Sequence, residues 1–499
     1  SELCTDDEFL RRVYLDVIGA LPTLAEQEAF RADQRPDRRA QLIDALVARP
    51  EYARFWALKW GDLLKLQKSE VAEAGVHKFH RWLVDAFEQN MPFDQFASAL
   101  LTAQGSTYDN PAANFVRALD ESTEAAETTA QVFLGSRIQC AKCHNHPFEN
   151  WTQDNFYGLT AFFNRTSRKP GMRLEEEVIY EGRDGEVVQP RTGQVMKPWL
   201  PGDGALDEQA LNDRRRAFAA WLTEPNNPFF ARVAVNRAWA EVMGRGIVDP
   251  VDDFRQSNPP CNPALLDRLA EDFIAHGFDC RQLLRTILNS RTYQLSSQTT
   301  PLNQDDSRFF SHARTRMLSA EQLLDAISQV TEIKELFVGL PAGTLATALP
   351  SPDFKHEFLE TFGRPARLTA CACERKVAAW ARISLGYWLT SAAVSKLRMP
   401  LETRRARSIS IVCMPSCWPL IMVLRSWRVL PSRSRFLTAS LAINTSYAAT
   451  RPPPSAGSRR WLITPCRVPA SMIWIWSRRS AGNTSTMRSR ACEASLVCN

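Results

Sequence analysis

Much that would place this chain in a familiar enzyme class is missing. Histidine is scarce, with seven in 499 residues. No Gly-rich phosphate loop, dinucleotide fingerprint or nucleophile elbow occurs, which removes the usual sequence grounds for a nucleotide-dependent enzyme or an α/β-hydrolase. No Ser-His-Asp constellation emerges, and no fixed-period repeat marks a solenoid. The longest apolar run, Ile411 to Leu424, is 14 residues long and contains two prolines. A membrane-spanning helix needs roughly 20, so no membrane span is expected. The chain opens SELCTDDEFL, without a basic stretch leading into an apolar one, so no signal peptide is expected within this fragment. What remains is a chain with ordinary hydrophobic content, 44%, and length enough for two or three domains.

Aspartate is absent from the last quarter. From Ala372 onward there are 18 Arg and 2 Lys against 3 Glu and no Asp, a net +17, which leaves −11 for the first 371 residues of a chain whose total is +6. A basic arm on an acidic body would ordinarily suggest nucleic acid. This tail, however, holds seven of the 14 Trp and six of the 12 Cys, and no amphipathic period runs through it. Disordered basic arms are poor in Trp and Ile, whereas out-of-frame translation of a GC-rich gene gives this mixture of Arg, Ser, Pro, Cys and Trp. Residues 377–499 are therefore read as an out-of-frame or disordered tail without a defined fold. An exposed basic tail is the alternative, and no nucleic-acid partner is expected.

The body is mainly α. In DEFLRRVYLDVIG the apolar positions Phe9, Leu10, Val13, Tyr14, Val17 and Ile18 follow one helical face. Thr23 with Glu26 and Ser319 with Gln322 have capping-box spacing, each side chain satisfying an orphan donor of the first turn. RRAQLIDALVA, EYARFWALKWGDLLKL and PFDQFASALLTA continue the pattern. STEAAETTAQVFLGSRIQ is expected as one helix running into Cys140. Residues 1–165 thus form one helical domain and 212–376 a second. Between them, 166–211 is richer in Gly and Pro and alternates, a β-containing linker with a hairpin expected around Asp184-Gly185.

The chemistry-bearing stretch is Cys140-Ala-Lys-Cys143-His144. In c-type cytochromes two such thiols add across the haem vinyl groups, and the adjacent imidazole ligates the iron. The spacing sets the two sulfurs almost one helical turn apart, with His144 next in line. Chance places C-x-x-C-H in a chain of this composition in roughly one sequence in 250, so the motif is specific, though single. It predicts one covalent haem c on Cys140, Cys143 and His144, with His144 as the iron ligand. His77, His80, Met91, Met172, Met196 and His312 are candidates for the far side of the iron, and a five-coordinate iron is equally open. His77 and His80 sit in a polar helical stretch and are expected to be solvated. A zinc site using His146 as well, a thioredoxin-like pair and a structural cysteine pair are the competing readings. Zinc lacks a second knuckle at the usual spacing, and the redox pair lacks a preceding strand. Arg137, Lys142 and Arg165 could meet haem propionates, with surface solvation the plainer expectation. Asp252-Asp253 is expected in a turn, and Cys261 and Cys280 as buried thiols.

FLRRVYLDVIGALPT, STYDNPAANFVRAL and ETTAQVFLGSRIQCAKCHNHPFENWTQDNFYGLTAFF together resemble a large planctomycete family of unknown function, named for its association with cytochrome-c-like domains. AAWLTEPNNPFFARVAVNRAWAEVMGRGIVDPVDDFRQSNPP and the residues that follow, through FLETFGRPARLTACACER, are similar to its companion domain. The resemblance covers about the first 376 residues. It implies an exported, extracytoplasmic protein, with a redox partner that is a separate cytochrome c domain or an unknown protein, and it puts the family's C-x-x-C-H on Cys140, Cys143 and His144. A non-catalytic scaffold or binding protein with a structural Cys pair is the alternative. Whether any reaction is catalysed is open.

Overall fold

In the computed structural model, the described residues are 1–206, 213–367 and four strand segments within 407–476. Two compact units are distinguished, Ser1–Met399 and Pro400–Asn499. The second contributes only strands among the described residues: β8 (Arg407–Val412) pairs antiparallel with β9 (Ile421–Ser426), and β10 (Ile463–Val468) with β11 (Ser471–Trp476). The rest of the tail, on which the expectation of no defined fold falls, lies outside the described residues.

The first unit is mainly helical, in two helix-rich regions joined by short strands. Helix α1 (Asp6–Val17) is opened by a capping box of Thr5 and Glu8, and α2 (Leu24–Ala32) by the expected box of Thr23 and Glu26. There follow α3 (Arg38–Val47), α4 (Pro50–Leu63) with proline in its first turn, α5 (Lys68–Glu88) and α6 (Phe93–Leu101). A short strand β1 (Gly105–Ser106) precedes α7 (Ala113–Arg117) and α8 (Ser122–Thr129), and α9 (Gln153–Thr160) closes the first region.

The linker region forms small antiparallel pieces. β2 (Thr166–Pro170) and β1 flank β3 (Glu177–Glu181) in a three-stranded sheet. β4 (Val187–Val188) pairs with β5 (Val195–Met196), and β6 (Trp199–Leu200) with β7 (Gly204–Ala205). The hairpin expected around Asp184-Gly185 is not formed. Both edges of β3 are already taken by β1 and β2, so the chain crosses at Gly185, with φ +123°, to start a separate ribbon whose turn lies between Gln189 and Gln194.

The second region carries α10 (Arg214–Thr223), α11 (Phe230–Met243), α12 (Pro263–Ala275), α13 (Cys280–Asn289), α14 (Ala320–Thr331) with the expected Ser319–Gln322 box, and α15 (Glu357–Thr361). It shares its core with the first region. Phe93 of α6 stacks on Phe230 of α11 with ring centres 5.1 Å apart and planes 16° from parallel. The Tyr293 hydroxyl donates to buried Asp16 of α1 at 2.8 Å, and the Arg237 guanidinium to the Gln131 carbonyl at 2.6 Å. Such pairs merge the buried side chains of both regions into one continuous cluster. A second, small cluster under α14 holds six buried side chains: Ala320, Leu324, Phe337, Ala346, Leu349 and Leu359.

Candidate functional site

The segment leading to the motif departs from the expected single helix. After Thr129, residues Ala130–Leu134 open into a wider π turn, and Gly135 stops it in the left-handed region at φ +63°. A side chain there would have its Cβ 2.7 Å from the Phe254 ring and 2.8 Å from Val233, so the glycine is required by both conformation and space. The Phe254 N–H donates to the Gly135 carbonyl at 2.9 Å.

Asp252 fixes this approach. Expected in a turn, it does sit in one, yet it is only 1% exposed and accepts from Gln131 Nε2 at 2.5 Å and from Arg137 at 2.6 Å. Burial by itself would raise its proton affinity, but the Arg137 hydrogen bond and the nearby Arg237 charge outweigh it and hold the carboxyl below the usual range. Arg137, expected at the solvated surface, is therefore the half-buried partner of a buried carboxylate. Lys142 and Arg165 are committed too: Lys142 to the Thr123 hydroxyl at 3.1 Å, Arg165 to Glu186 at 2.5 Å.

Cys140 lies in a 3-10 turn, Gln139–Lys142, with Cys143 capping it. At three residues per turn the side chains at positions i and i+3 eclipse, so Cys140 and Cys143 share one side. Ile138 and Ala141 are fully buried and anchor the other. Both thiols are exposed and free, not joined to each other. Behind the turn, the Lys142 carbonyl accepts from Gln153 Nε2 at 3.0 Å and the Tyr157 hydroxyl at 3.1 Å, which ties the motif to α9. Tyr157 has its phenol raised, first by burial and then by the proximity of Cys143 and Glu127.

The two histidines use Nδ1 in opposite senses. His144 Nδ1 lies 2.7 Å from the Asn145 carbonyl. A carbonyl only accepts, so Nδ1 is the donor in this contact, and Nε2 is the ring atom left to face a metal. His146 Nδ1 instead accepts the Phe148 N–H at 3.2 Å, which puts the proton of the neutral ring on Nε2. Burial, and then Arg255, lower the proton affinity of His146. The exit from the motif, Cys143 to Asn150, is mostly exposed, with Phe148 at 73%. It closes where the His146 N–H reaches the Trp151 carbonyl at 2.8 Å and a Thr152–Asn155 capping box opens α9.

The six far-side candidates are dispersed. His77 is exposed against Phe354, and Met91 packs on the core. Met172 is fully exposed. Met196 sits on β5, whose ribbon meets α9 through Gln189 and Gln153 at 3.1 Å. His312 has its Nδ1 buried without a hydrogen-bond partner. His80, expected to be solvated, is half-buried with its Nε2 covered and unpartnered; burial, then Arg367, bring its pKa down to about 3. The helix face that looked polar in sequence is roofed by the chain near Arg367, some 290 positions away, as only the tertiary fold reveals.

Cys261 and Cys280 are free and half-buried, and burial pushes the Cys280 thiol up to about 12. Among the described residues no group of three or more His, Cys, Asp and Glu side chains is placed to hold a metal ion. Cavities of about 560 and 260 Å³ exist elsewhere, and neither is lined by Cys140, Cys143 or His144. The donor set therefore fits covalent haem attachment: two accessible thiols on one side of a turn and an imidazole with a free Nε2. An enclosing slot is not part of it.

Two family models match the chain. Residues 1–168 match PSCyt2, described as a protein of unknown function (DUF1549), and residues 214–347 match PSD1, likewise described (DUF1553). Residues 1–168 thus belong to the PSCyt2 family and residues 214–347 to the PSD1 family. The motif lies within the PSCyt2 region, while Asp252, which secures it, comes from the PSD1 region. No curated protein and no solved structure matches the chain. Sequence reasoning found the motif but missed Asp252, Gln131 and Tyr157 as its supports. The Thr152–Asn155 spacing was the one readable signal for the loop's closure.

Proposed function

We propose that Cys140, Cys143 and His144 attach one haem c covalently, and that this PSCyt2–PSD1 protein is an extracytoplasmic, cytochrome-c-like electron carrier. The observation that carries this reading is the geometry of the motif: both thiols free and accessible on one side of a 3-10 turn, with His144 Nδ1 engaged by the Asn145 carbonyl at 2.7 Å. Haem would supply a one-electron couple tuned by its axial ligands and surroundings. The chain's own part is to present the thiols, orient Nε2 through Asn145 and hold the turn against α9. Residues 1–165 bear the group, 166–211 link, and 212–376 buttress the approach through Asp252 and Arg237. A redox partner, such as a separate cytochrome c domain, would meet the exposed face at Phe148. Export follows from the family resemblance; among the described residues no helix is long and apolar enough to cross a membrane.

A scaffold or binding role is the second reading. It is favoured by the absence of either cavity from the motif and by the continuous core that joins the two regions. One experiment separates them. The chain is expressed with a cytochrome c maturation system and stained for haem on a denaturing gel. A stained band that disappears in Cys140→Ala/Cys143→Ala is expected; an unstained wild-type band would eliminate the cytochrome reading and leave the scaffold.

A further inference from the structure

The cavity of about 260 Å³ lies among α7, α8, the β2–β3 pair and the start of α10, and all its walls come from residues between Leu101 and Arg215. Its inner end is polar where a core would be apolar. Arg215, the second residue of α10, is 1% exposed. Its Nη1 donates to the Ala103 and Leu101 carbonyls at 3.0 and 3.4 Å. Its Nε and Nη2 are covered and have no hydrogen-bond partner among the described residues. Glu181 Oε2 comes within 3.5 Å of Nε, but neither atom is satisfied by that approach. Thr166 Oγ1, on β2 and on another wall of the same cavity, is covered and unpartnered as well. Buried polar groups in folded proteins almost always find a partner, and an unmade bond costs about 1–3 kcal/mol. Two such groups on one cavity mark a place prepared for a partner from outside the chain. Water meets that need in part, and hydroxyl groups arriving in its place reproduce its bonds.

The remaining walls say which chemistry belongs there. Phe115, Phe163 and Ile179 are buried and give the cavity an apolar side. Asp120, Glu121 and Arg168 are exposed and stand at the mouth, where Arg168 bonds Asp120 at 2.6 Å. With Glu181 beside Arg215, two cations meet three carboxylates, so an anion gains nothing by entering. A cation would meet the Arg215 guanidinium at the inner end. An uncharged ligand remains, one that accepts from Arg215 and Thr166 inside, donates to the carboxylates outside, and lays an apolar face on the aromatic side. The space falls just below the roughly 300–1,000 Å³ of drug-sized sites, which limits the ligand to about one ring. A sugar ring has all of these properties, with hydroxyls around its edge and C–H groups on its face.

We propose that this cavity is a binding site for a single uncharged sugar ring. Its hydroxyl oxygens accept from Arg215 Nη2 and Thr166 Oγ1, and hydroxyls at the other end donate to Asp120 and Glu121, whose carboxylates have lone pairs to spare. None of the walls comes from residues 140–144, so the site and its test are independent of haem attachment.

The test titrates the full chain with glucose, galactose, mannose, xylose and N-acetylglucosamine, read by calorimetry and by saturation-transfer NMR. At least one of the five should bind saturably, and glucuronate should bind more weakly than the best of them. Thr166→Val keeps the shape of the side chain and gives up no bond within the described residues. It should leave the melting temperature unchanged and weaken that sugar about tenfold, the effect of one lost hydrogen bond. Asp120→Asn, at the exposed mouth, should weaken it several-fold without disturbing the fold. The methyl glycoside of the same sugar is run alongside: equal affinity assigns the site to a glycan end and lost affinity to a free sugar, either way upholding it. Saturable binding of none of the five, affinity that neither substitution lowers, or a preference for glucuronate overturns the proposal. So does a marked fall in the melting temperature of Thr166→Val, which would mean that the hydroxyl is satisfied within the protein.

Discussion

The two sides of the CAKCH turn are built differently. The approach, Gln131 to Ile138, is buried almost throughout and bonded to a carboxylate more than a hundred residues away. The exit, Cys143 to Asn150, is largely exposed and held by single hydrogen bonds and a helix cap. A rigid entry fixes where the first thiol stands, while a soft exit leaves room around the second thiol and the imidazole. On the proposed reading, a group added after folding would need both, because its attachment points would have to be placed before it arrives and yet be reachable.

Asp252→Ala should do the most to erase this contrast. It removes the acceptor that Arg137 and Gln131 share, and hydrogen bonds to a charged group contribute about 1.5–3 kcal/mol each, a loss measurable by chemical denaturation. The pH dependence carries a sign. Asp252 is depressed in the folded state, so its contribution is fully present above the unfolded carboxylate value of about 3.9 and is lost as pH falls through the lower folded value. The Ala variant should show a flatter acid limb in a stability-versus-pH series. Gly135→Ala comes next. It combines a left-handed residue with a clash at Phe254, for about 2 kcal/mol or more, and a smaller loss of melting temperature would mean that the approach yields more readily than its packing implies. On the exit side, Thr152→Ala removes one cap at about 1 kcal/mol, and limited proteolysis between residues 144 and 150 should quicken. Phe148→Ala should change stability by less than about 0.5 kcal/mol, while weakening any partner that docks there; a large loss of stability would show that the exit is not soft.

Sequence periodicity was a good guide wherever a helix carried its own pattern and cap. α1, α2 and α14 could be read because their apolar spacing and their Thr or Ser caps are local. The motif residues were legible for the same reason, five consecutive positions with one chemistry. What could not be read was long-range. Gly135 looks like one more residue of a continuing helix until Phe254 and Val233 close around it. Asp252 looks like half of a turn until Gln131 and Arg137 reach it. His80 sits on a polar-looking face that another part of the chain covers. The misplaced hairpin has the same origin, since Asp184-Gly185 is good turn chemistry in a place where both edges of β3 were already taken.

The merged core has a consequence for how such a gene can change. Phe93 rests on Phe230, Asp16 on Tyr293, and Gln131 on Arg237. A deletion that removed residues 214–347 would turn the inner faces of α1, α4 and α6 toward water and set the turn that carries Cys140 adrift. A chain cut between the two regions is therefore expected to lose the folded state of both. The two regions are bound to be inherited as a pair by the physics of their shared interior, whatever task that interior serves.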